Sequence, residues 1–546
     1  MPPSGLPGSG KETPIMDTHA LRIGAFAAAF VLAMTLAPHA RAGDQVRLDS
    51  GVIEGAGADA AGIRAFKGIP FAAPPVGDLR WKGPQPVAPW QGVRAATEFG
   101  ARPMQNRIFS DMIFRDSGPS EDCLYLNVWT PAKSAGERLP VMVWIFGGGY
   151  QAGATSEPRQ DGKDLARKGV VVVSMNYRLG IFGFFSHPGL SQESGRGASG
   201  DYGIMDQVAA LRWVQRNIAA FGGDPSNVTI FGESAGSYSV SIQMATPLAR
   251  GLFHKAIGES GSVVGTRRSP SHVAPLAKAE KAGEDFGAAI GAKTLADLRA
   301  VPADALLKAS TDKKFRTGVV VDGYVLPKDM RSIYEAGEQG HVPLLAGWNA
   351  DESRVYSVFG DKRPTAASFA KDVRGEYGAE ADQILRLYPA RTDAEAVRSA
   401  GDLASDRFIV TTTWKWIELQ LETGDAPVYR YQFDRAVPIS PGTIINGAPA
   451  TSADTGAPHA SEISYVFGAI SAMKDVPWED ADFKLSDAIG TYWTNFAKTG
   501  NPNGAGLPEW PRYEKQTGRQ VMHLDVVPKA EPETFRERHE YWDSAP

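Results

Sequence analysis

Short apolar runs separated by polar turns dominate the first half of the chain. The runs at residues 124–129, 141–146, 170–174 and 228–231 are rich in branched aliphatic and aromatic residues. Continuous apolar runs of this length are typical of parallel strands that are buried on both faces. Residues 204–220 instead carry apolar side chains at helical spacing, which predicts an amphipathic helix before the last of these strands. Strands that alternate with helices predict an α/β fold built on a mostly parallel sheet.

The second half of the chain adds later strands and a larger share of helix. Apolar runs at residues 344–348 and 429–433 predict two more strands of the sheet. Residues 263–306 and 366–422 are richer in helix formers and charge, and we expect them to form a helical layer over the sheet. Because no long linker separates these regions, residues 43–546 are predicted to form a single domain.

The first 42 residues have the pattern of a signal peptide. Residues 23–37 are apolar apart from one threonine, follow Arg22, and precede an A-x-A cleavage pattern at residues 40–42. This apolar run is about 15 residues long, whereas a membrane span needs about 20. We therefore predict cleavage near Ala42 and a secreted or periplasmic protein with no stable membrane anchor. An uncleaved anchor is the alternative, and Met16 is an alternative start.

The composition is that of a globular protein and argues against several classes of function. The chain has 546 residues, of which 43% are hydrophobic and 22% charged, and its formal net charge is −5. Acidic and basic residues are mixed along the chain, so we expect no nucleic-acid partner. The single cysteine, Cys123, excludes an intramolecular disulfide, and its apolar neighbours predict a packed thiol. The chain has no H-E-x-x-H pattern, and we expect no metal and no cofactor.

A G-x-S-x-G pattern at residues 232–236 is the strongest chemical signal. It follows the apolar run at 228–231 directly and precedes a plausible helix at residues 235–245. Its two glycines leave room for a sharp strand-to-helix turn, which lifts the serine hydroxyl to the carboxyl end of the sheet. Ser234 is therefore the candidate nucleophile, and the amide of Ala235 can face a developing oxyanion. An ordinary glycine-rich turn is the alternative.

Three glycines at residues 147–149 follow the apolar run at 141–146. A strand that ends in glycines can bring main-chain amides close to a substrate carbonyl, where a tetrahedral oxyanion needs fixed donors. This loop precedes the serine pattern, as the corresponding loop does in α/β-hydrolases. A flexible turn is the alternative.

A serine nucleophile needs a base and an acid, which follow it in α/β-hydrolases in the order acid, then histidine. Asp351 and Glu352 come just after a predicted strand, where a parallel sheet presents side chains to its active edge. The residues alone leave both carboxylates open. Among the later histidines, His523 lies in a strand-like segment and His539 in a charged tail, whereas His459 follows a loop that can reach the site.

Four longer motifs run through the chain after the signal segment. Residues 221–236 (FGGDPSNVTIFGESAG) are similar to a serine signature over its full length, and residues 121–128 (EDCLYLNV) to a second signature. Residues 68–80 and residues 176–178 also agree. Together these motifs resemble the type-B carboxylesterase/lipase family, and within it the bacterial p-nitrobenzyl-esterase-like carboxylesterases.

The resemblance implies an α/β-hydrolase fold, with a large mostly parallel sheet, helices on both faces, and helical and loop insertions over the active site. It also implies roles for single residues. The acid would be Glu352, the base His459, the oxyanion donors Gly148, Gly149 and Ala235, and a serine near the acid Ser260.

These observations predict a serine carboxylesterase that hydrolyses small-molecule carboxylic esters through an acyl-enzyme. The same triad can cleave amides or thioesters, so an amidase or a thioesterase is an alternative, and a non-catalytic binding protein on this fold is another. The loop before Glu121 lacks the tryptophan with which cholinesterases hold a quaternary ammonium, which argues against choline esters. We expect a monomer or a homodimer.

Overall fold

A ten-stranded sheet runs through the molecule, and it carries the candidate site at one edge. The computed structural model describes residues 44–269, 273–353, 363–445 and 448–545. The strands of this sheet, in chain order, are β1 (Arg64–Pro70), β2 (Tyr125–Thr130), β3 (Leu139–Ile145), β4 (Val171–Met175), β5 (Gly223–Glu233), β6 (Lys255–Glu259), β7 (Leu344–Asn349), β8 (Val428–Phe433), β9 (Gln520–Leu524) and β10 (Lys529–Pro532).

The sheet is parallel in its centre and antiparallel at both edges. In space its order is β10-β9-β8-β7-β6-β5-β3-β4-β2-β1. The strands from β9 across to β4 pair in parallel. The pairs β9–β10, β2–β4 and β1–β2 are antiparallel. The carboxyl ends of β5, β6 and β7 therefore meet at one edge, which is where functional side chains gather in such sheets.

The strands predicted from apolar runs are all present, but the predicted direction of one strand relative to its neighbours is wrong. We expected residues 124–129 to form a parallel strand, but β2 pairs antiparallel with both β1 and β4. Leu126 and Val128 on β2 are fully buried. A strand covered on both faces gives a continuous apolar run whatever its direction, so the pattern carries no information on direction.

Helices pack against the sheet from both faces, and the predicted α/β-hydrolase fold is confirmed. The helices of ten or more residues in the described part of the chain are α1 (Tyr202–Asn217), α2 (Ala235–Ala245), α3 (Leu276–Ala289), α4 (Ala303–Asp312), α5 (Ala366–Tyr377), α6 (Asp393–Ser405), α7 (Thr411–Thr423) and α8 (Asp480–Thr499). Helix α2 has the predicted bounds, α1 begins and ends slightly earlier than expected, and α3 to α7 form the predicted helix-rich regions.

Shorter elements complete the fold. Helical segments of four to eight residues lie at Lys163–Ala166, Gly180–Gly183, Pro188–Glu193, Leu295–Ala300, Met330–Glu335, Ala381–Leu387, Ser452–Thr455, Ile463–Val466 and Arg536–Asp543, and a π-helical segment, Asp406–Val410, joins α6 to α7. Small sheets are formed by Asp44–Arg47, Val52–Gly55 and Val93–Ala95, by Arg102–Pro103 with Pro119–Ser120, by Ala274–Pro275 with Val320–Val321, and by Ile444–Ile445 with Ala448–Pro449.

The core lies along the central strands. The side chains of residues 141–145 on β3 and of 171–173 on β4 are completely buried. Cys123 is buried next to β2, and burial raises the pKa of its thiol well above the usual value, which disfavours the reactive thiolate. Residues Gly43–Pro546 form one compact unit by their contacts. Among the described residues, no helix has the length and apolar character needed to cross a membrane.

Helix α2 begins unusually close to the end of β3. A Cβ atom at Gly236, in the first turn of α2, would overlap the carbonyl oxygen of Ile145. A Cβ atom at Gly232 would lie 2.6 Å from the same oxygen and 2.7 Å from the carbonyl carbon of Gly236. Both glycines of the G-x-S-x-G pattern are thus required by contact between backbones, as the sequence predicts.

We expect Gly236→Ala to lower the free energy of unfolding by about 2 kcal/mol or more, since overpacking of a closely packed site costs about 1–3 kcal/mol. Gly375→Ala, on the exposed side of α5, is the matched control. A Cβ atom at Gly375 meets no atom within 4 Å, so this change should stabilise the protein by about 0.5–1 kcal/mol. Urea unfolding of the two variants measures both effects, and equal effects would contradict the close-approach argument.

Candidate active site

Ser234 occupies the turn between β5 and α2. Its φ is 54° and its ψ −120°, a conformation that costs energy for a residue with a side chain. The turn is held on both sides, because the amide of Ser234 donates to the carbonyl of Glu259 at 2.8 Å and its own carbonyl accepts from Tyr238 N at 2.8 Å. Gly147 leaves room beside it, since a Cβ atom there would lie 3.0 Å from the Cβ atom of Ser234.

The imidazole of His459 lies between Ser234 and Glu352. Its Nε2 atom is 2.9 Å from Ser234 Oγ, and its Nδ1 atom is 2.6 Å from Glu352 Oε2. A carboxylate next to Nδ1 keeps the ring proton on that nitrogen, so Nε2 is left to accept the serine proton. Glu352 itself is 2% exposed, and its Oε1 atom accepts from Asn349 N at 2.8 Å.

Asp351, the other carboxylate that the residues alone left open, holds the loop that carries His459. Its amide donates to the carbonyl of Ala457 at 3.1 Å, and its Oδ2 atom accepts from Ala457 N at 2.9 Å. Asn349 Nδ2 adds a bond of 2.8 Å to the carbonyl of Pro458. The geometry therefore gives the two neighbouring carboxylates different tasks: Glu352 contacts the imidazole, and Asp351 anchors its loop.

Further buried carboxyl groups surround the imidazole. Glu233 Oε1 lies 3.2 Å from His459 Nε2 and makes no hydrogen bond within the described part of the chain. Glu259 accepts from Trp493 Nε1 at 2.7 Å, and Glu462 accepts from Asn349 Nδ2 at 2.6 Å. Since these groups are buried, the charged forms are disfavoured and their pKa values rise: well above the usual range for Glu259, and to about 7 for Glu462.

Glu233 and His459 influence each other's protonation. Burial raises the pKa of Glu233 to about 8, although the imidazole opposes the shift. Burial lowers the pKa of His459, but Glu233 and Glu352 more than offset this, and its pKa rises to about 9. Such strongly interacting groups titrate as a pair, so protons are shared between the carboxyl of Glu233 and the imidazole.

The predicted oxyanion loop has the backbone conformation that glycine permits. Gly148 has a φ of 94° and Gly149 a φ of 63°. The carbonyl of Gly148 turns back to accept from the amides of Gln151 and Ala152 at 3.0 and 3.1 Å. The amides of Gly148, Gly149 and Ala235 donate to no acceptor within the residues that the structure describes, so they are available for a bound group.

Ser260 lies just past β6, and its amide donates to Gly347 O on β7 at 2.9 Å. Its buried hydroxyl makes no hydrogen bond within the described residues, so a supporting contact with Glu352 stays a prediction. In the same described part of the chain, no group of three or more His, Cys, Asp and Glu side chains is arranged to hold a metal ion.

The two other late histidines lie elsewhere. His523 is in β9, as expected, and its Nδ1 atom is 2.6 Å from Asp434 Oδ2. The expectation of a charged tail around His539 is wrong, because this residue is 4% exposed in the helix Arg536–Asp543 and its ring packs against Trp348 and Trp414. The charged run contains buried positions of a helix, Arg538 and His539, which composition alone does not reveal.

Sequence reasoning gave no role to three residues of the site. Glu233 is inside the serine pattern, Asn349 is the last residue of β7, and Glu462 lies three residues after His459. The spacing of Glu462 gave no signal, because residues 459–462 form a non-helical turn in which Ala460 has a φ of 65°, and Glu462 accepts from the distant Asn349. The contacts of the other two depend on chain segments far apart in the sequence.

Comparison with known proteins agrees with this architecture. The model of the Carboxylesterase family matches residues 42–542. The chain is 36% identical over 519 residues to a Fumonisin B1 esterase of Sphingopyxis macrogoltabida, covering 90% of this chain and 89% of that protein. It is 34% identical over 522 residues to a medium-chain fatty acyl-CoA hydrolase precursor of Anas platyrhynchos, covering 88% of this chain and 87% of that protein. It is 35% identical over 521 residues to a Cocaine esterase of Homo sapiens, covering 89% of this chain and 88% of that protein. The chain therefore belongs to the carboxylesterase family and is a carboxylic ester hydrolase.

Proposed function

We propose that Ser234, His459 and Glu352 form a catalytic triad that hydrolyses small-molecule carboxylic esters through an acyl-enzyme. The observation that carries the proposal is the unbroken chain of contacts from Ser234 Oγ to Nε2, at 2.9 Å, and from Nδ1 to Glu352, at 2.6 Å. Both distances are within the range for direct proton transfer and hydrogen bonding.

The reaction proceeds in two acyl transfers. As Ser234 Oγ bonds to the ester carbonyl carbon, its proton passes to His459 Nε2 and the carbonyl oxygen becomes an oxyanion. The amides of Gly148, Gly149 and Ala235 stabilise this charge. The oxyanion collapses, the C–O bond to the alcohol breaks, and the alcohol leaves with the proton from the imidazolium. Water then attacks the acyl-enzyme, with His459 again taking and returning a proton, and the carboxylic acid is released.

In this scheme Glu233 controls the protonation state of His459, the base. When the shared proton lies on Glu233, the imidazole is neutral and can act, and when it lies on His459 the base is blocked. Burial brings the pKa of Glu233 close to that of the imidazole, so the first arrangement is within reach. Glu352 keeps the imidazole tautomer and stabilises the imidazolium that forms during each transfer.

The chemical class of the ester stays open. The relatives named above carry names that refer to fumonisin B1, cocaine and acyl-CoA, so this scaffold supports different acyl and leaving groups. The acyl-CoA hydrolase name supports thioester cleavage as a second candidate reaction. Membership of the p-nitrobenzyl-esterase-like subtype stays a prediction, as do amide cleavage and the monomeric or dimeric state.

We expect Ser234→Ala to reduce kcat on an aryl ester by at least about 10⁴-fold, because removing a triad nucleophile abolishes the covalent route. Ser241→Ala is the matched control. Its hydroxyl lies on the same helix and donates to Tyr238 O at 2.8 Å, two turns from the nucleophile, so wild-type turnover should remain. Stoichiometric labelling by an organophosphate should occur in the control and not in Ser234→Ala. Full turnover by Ser234→Ala would end the proposal, and so would a wild-type protein that binds esters without cleaving them.

We expect Glu233→Gln to move the acidic limb of the pH dependence of kcat/KM to lower pH. The carboxylate raises the pKa of His459, so its removal lowers that pKa and leaves the imidazole neutral at a lower pH. Profiles of kcat/KM from pH 5 to 10 for the wild type and the variant measure the shift. A shift of about one pH unit is easily resolved in such profiles. A limb that stays in place or moves to higher pH would show that Glu233 does not tune the base.

We also propose that residues 1–42 are a signal peptide and that residues 43–546 are the mature single-domain enzyme. When the full chain is expressed in a Gram-negative host, the active protein should appear in the periplasm or medium with Gly43 as its first residue, as determined by intact mass. Ala42→Trp should block cleavage, because the peptidase accepts only small residues there. A periplasmic wild-type protein that retains residues 1–42 would favour the uncleaved anchor instead.

A further inference from the structure

An aromatic side chain lies against the imidazole of His459, and no step of the proposed reaction uses it. The ring of Phe408 stands edge-to-face on the imidazole, with centroids 5.1 Å apart and an interplanar angle of 77°. Phe408 is nevertheless 41% exposed. A large apolar side chain that faces solvent beside a reaction centre is a candidate surface for part of the substrate.

Phe408 is carried by the π-helical segment Asp406–Val410, between α6 and α7. In this widened turn the amide of Thr411 donates to the carbonyl of Asp406, five residues back. Side chains stabilise the irregular turn: Thr411 Oγ1 donates to Asp406 O and Thr413 Oγ1 to Ile409 O, both at 2.8 Å. Single π-turns inside helices are rare and occur frequently at functional sites.

Phe408 is the exposed residue of a segment that is otherwise fixed. Ile409 and Val410 are buried, and the buried carboxyl of Asp406 accepts from Tyr388 Oη at 2.5 Å. Arg407 reaches outward to Glu376 at 2.7 Å. Because its neighbours are anchored, the position of the Phe408 ring against His459 is set by the backbone rather than by chance packing on a loose loop.

A second apolar side chain approaches the other end of the site. The Cε atom of Met112 lies 3.1 Å from the position that a Cβ atom would take on Gly148, one of the proposed oxyanion donors. Met112 is half-buried, and Ile108 and Ile113 in the same loop are more than half exposed. The reaction centre is thus flanked by Met112 at its oxyanion end and by Phe408 at its proton-transfer end.

We propose that Phe408 is a positioning and specificity-determining residue. Its ring edge holds the imidazole of His459 in line with Ser234, and its exposed surface packs on an apolar substituent of the ester, for which Met112 provides an opposite wall. This inference rests on the proposed function and narrows its substrate class. The enzyme then prefers neutral esters with an aryl or alkyl group next to the scissile bond, since a charged group would lose hydration against these side chains.

Binding to inactive protein tests the specificity claim without any turnover. Calorimetry with a neutral aryl ester on Ser234→Ala should give a measurable Kd. Adding Phe408→Ala should raise Kd by about 10-fold, as expected for loss of an aromatic contact, and adding Phe408→Tyr should not. Phe483→Ala is the matched control: this residue is 47% exposed on α8, and its loss should leave Kd unchanged. An unchanged Kd for Phe408→Ala, no binding of the aryl ester, or tighter binding of a carboxylate-bearing analogue would overturn the claim.

Turnover tests the positioning claim separately. With Ser234 present, Phe408→Ala should lower kcat by about 10-fold even on a small acetate ester, since a misaligned base loses rate steeply, and Phe408→Tyr should retain it. Thermal unfolding should change little in both, because Phe408 is 41% exposed and lies outside the hydrophobic core. A wild-type kcat in Phe408→Ala would refute positioning. A wild-type protein without esterase activity would instead refute the proposed function, while the Kd measurements would still decide on Phe408.

Discussion

The close approach of α2 to the end of β3 is the constraint on which the rest of the site depends. The two backbones meet with no room for a Cβ atom at Gly236, and this contact sets where the helix begins. The turn before it must then be sharp, and Ser234 takes a positive φ, which residues with a side chain rarely adopt. Gly147, in the glycine loop after β3, packs against the side chain of Ser234, and Ala235 follows Ser234 directly in the chain. A local steric condition thereby determines the position of Ser234, the proposed nucleophile, relative to the proposed oxyanion donors.

The protonation states in this site are determined by one imidazole and several buried carboxyl groups. Four such groups, Glu233, Glu259, Glu352 and Glu462, lie in the interior near His459, and full ionisation of all of them would be costly in a region of low polarity. Hydrogen bonds separate their roles. Glu352 accepts from a backbone amide and the imidazole, Glu462 from Asn349, and Glu259 from Trp493. In the described part of the chain, one oxygen each of Glu233, Glu259 and Glu462 makes no hydrogen bond. Glu233 differs in its position, because its Oε1 atom lies 3.2 Å from His459 Nε2, close enough to share a proton with the imidazole.

Much of the fold was accessible from the sequence because burial on both faces leaves long apolar runs, and the strands of the sheet lie where these runs are. The direction of β2 could not be predicted, because a strand buried on both faces has the same apolar pattern whether it is parallel or antiparallel to its neighbours. The turn that carries Ser234, the proposed nucleophile, was predictable because it is local. The proposed acid was not predictable from the residues alone, because Asp351 and Glu352 are adjacent and only the contacts of a distant loop, together with the family resemblance, distinguish them. Phe408 left no pattern at all, because a π-turn breaks the helical spacing on which sequence reasoning relies.

The backbone and side-chain bonds between the segment at residues 349–352 and the loop at residues 457–459 join acid and base into one rigid piece. Ser234 belongs to another piece, the β5–α2 turn, and its hydroxyl meets the first piece through the contact with His459 Nε2. We expect this joint to open on heating before either piece comes apart. The hydroxyl of Ser234 should then move away from His459 while His459 keeps its contact with Glu352. Heat-inactivated enzyme should therefore regain its rate on cooling as long as the central sheet has not unfolded.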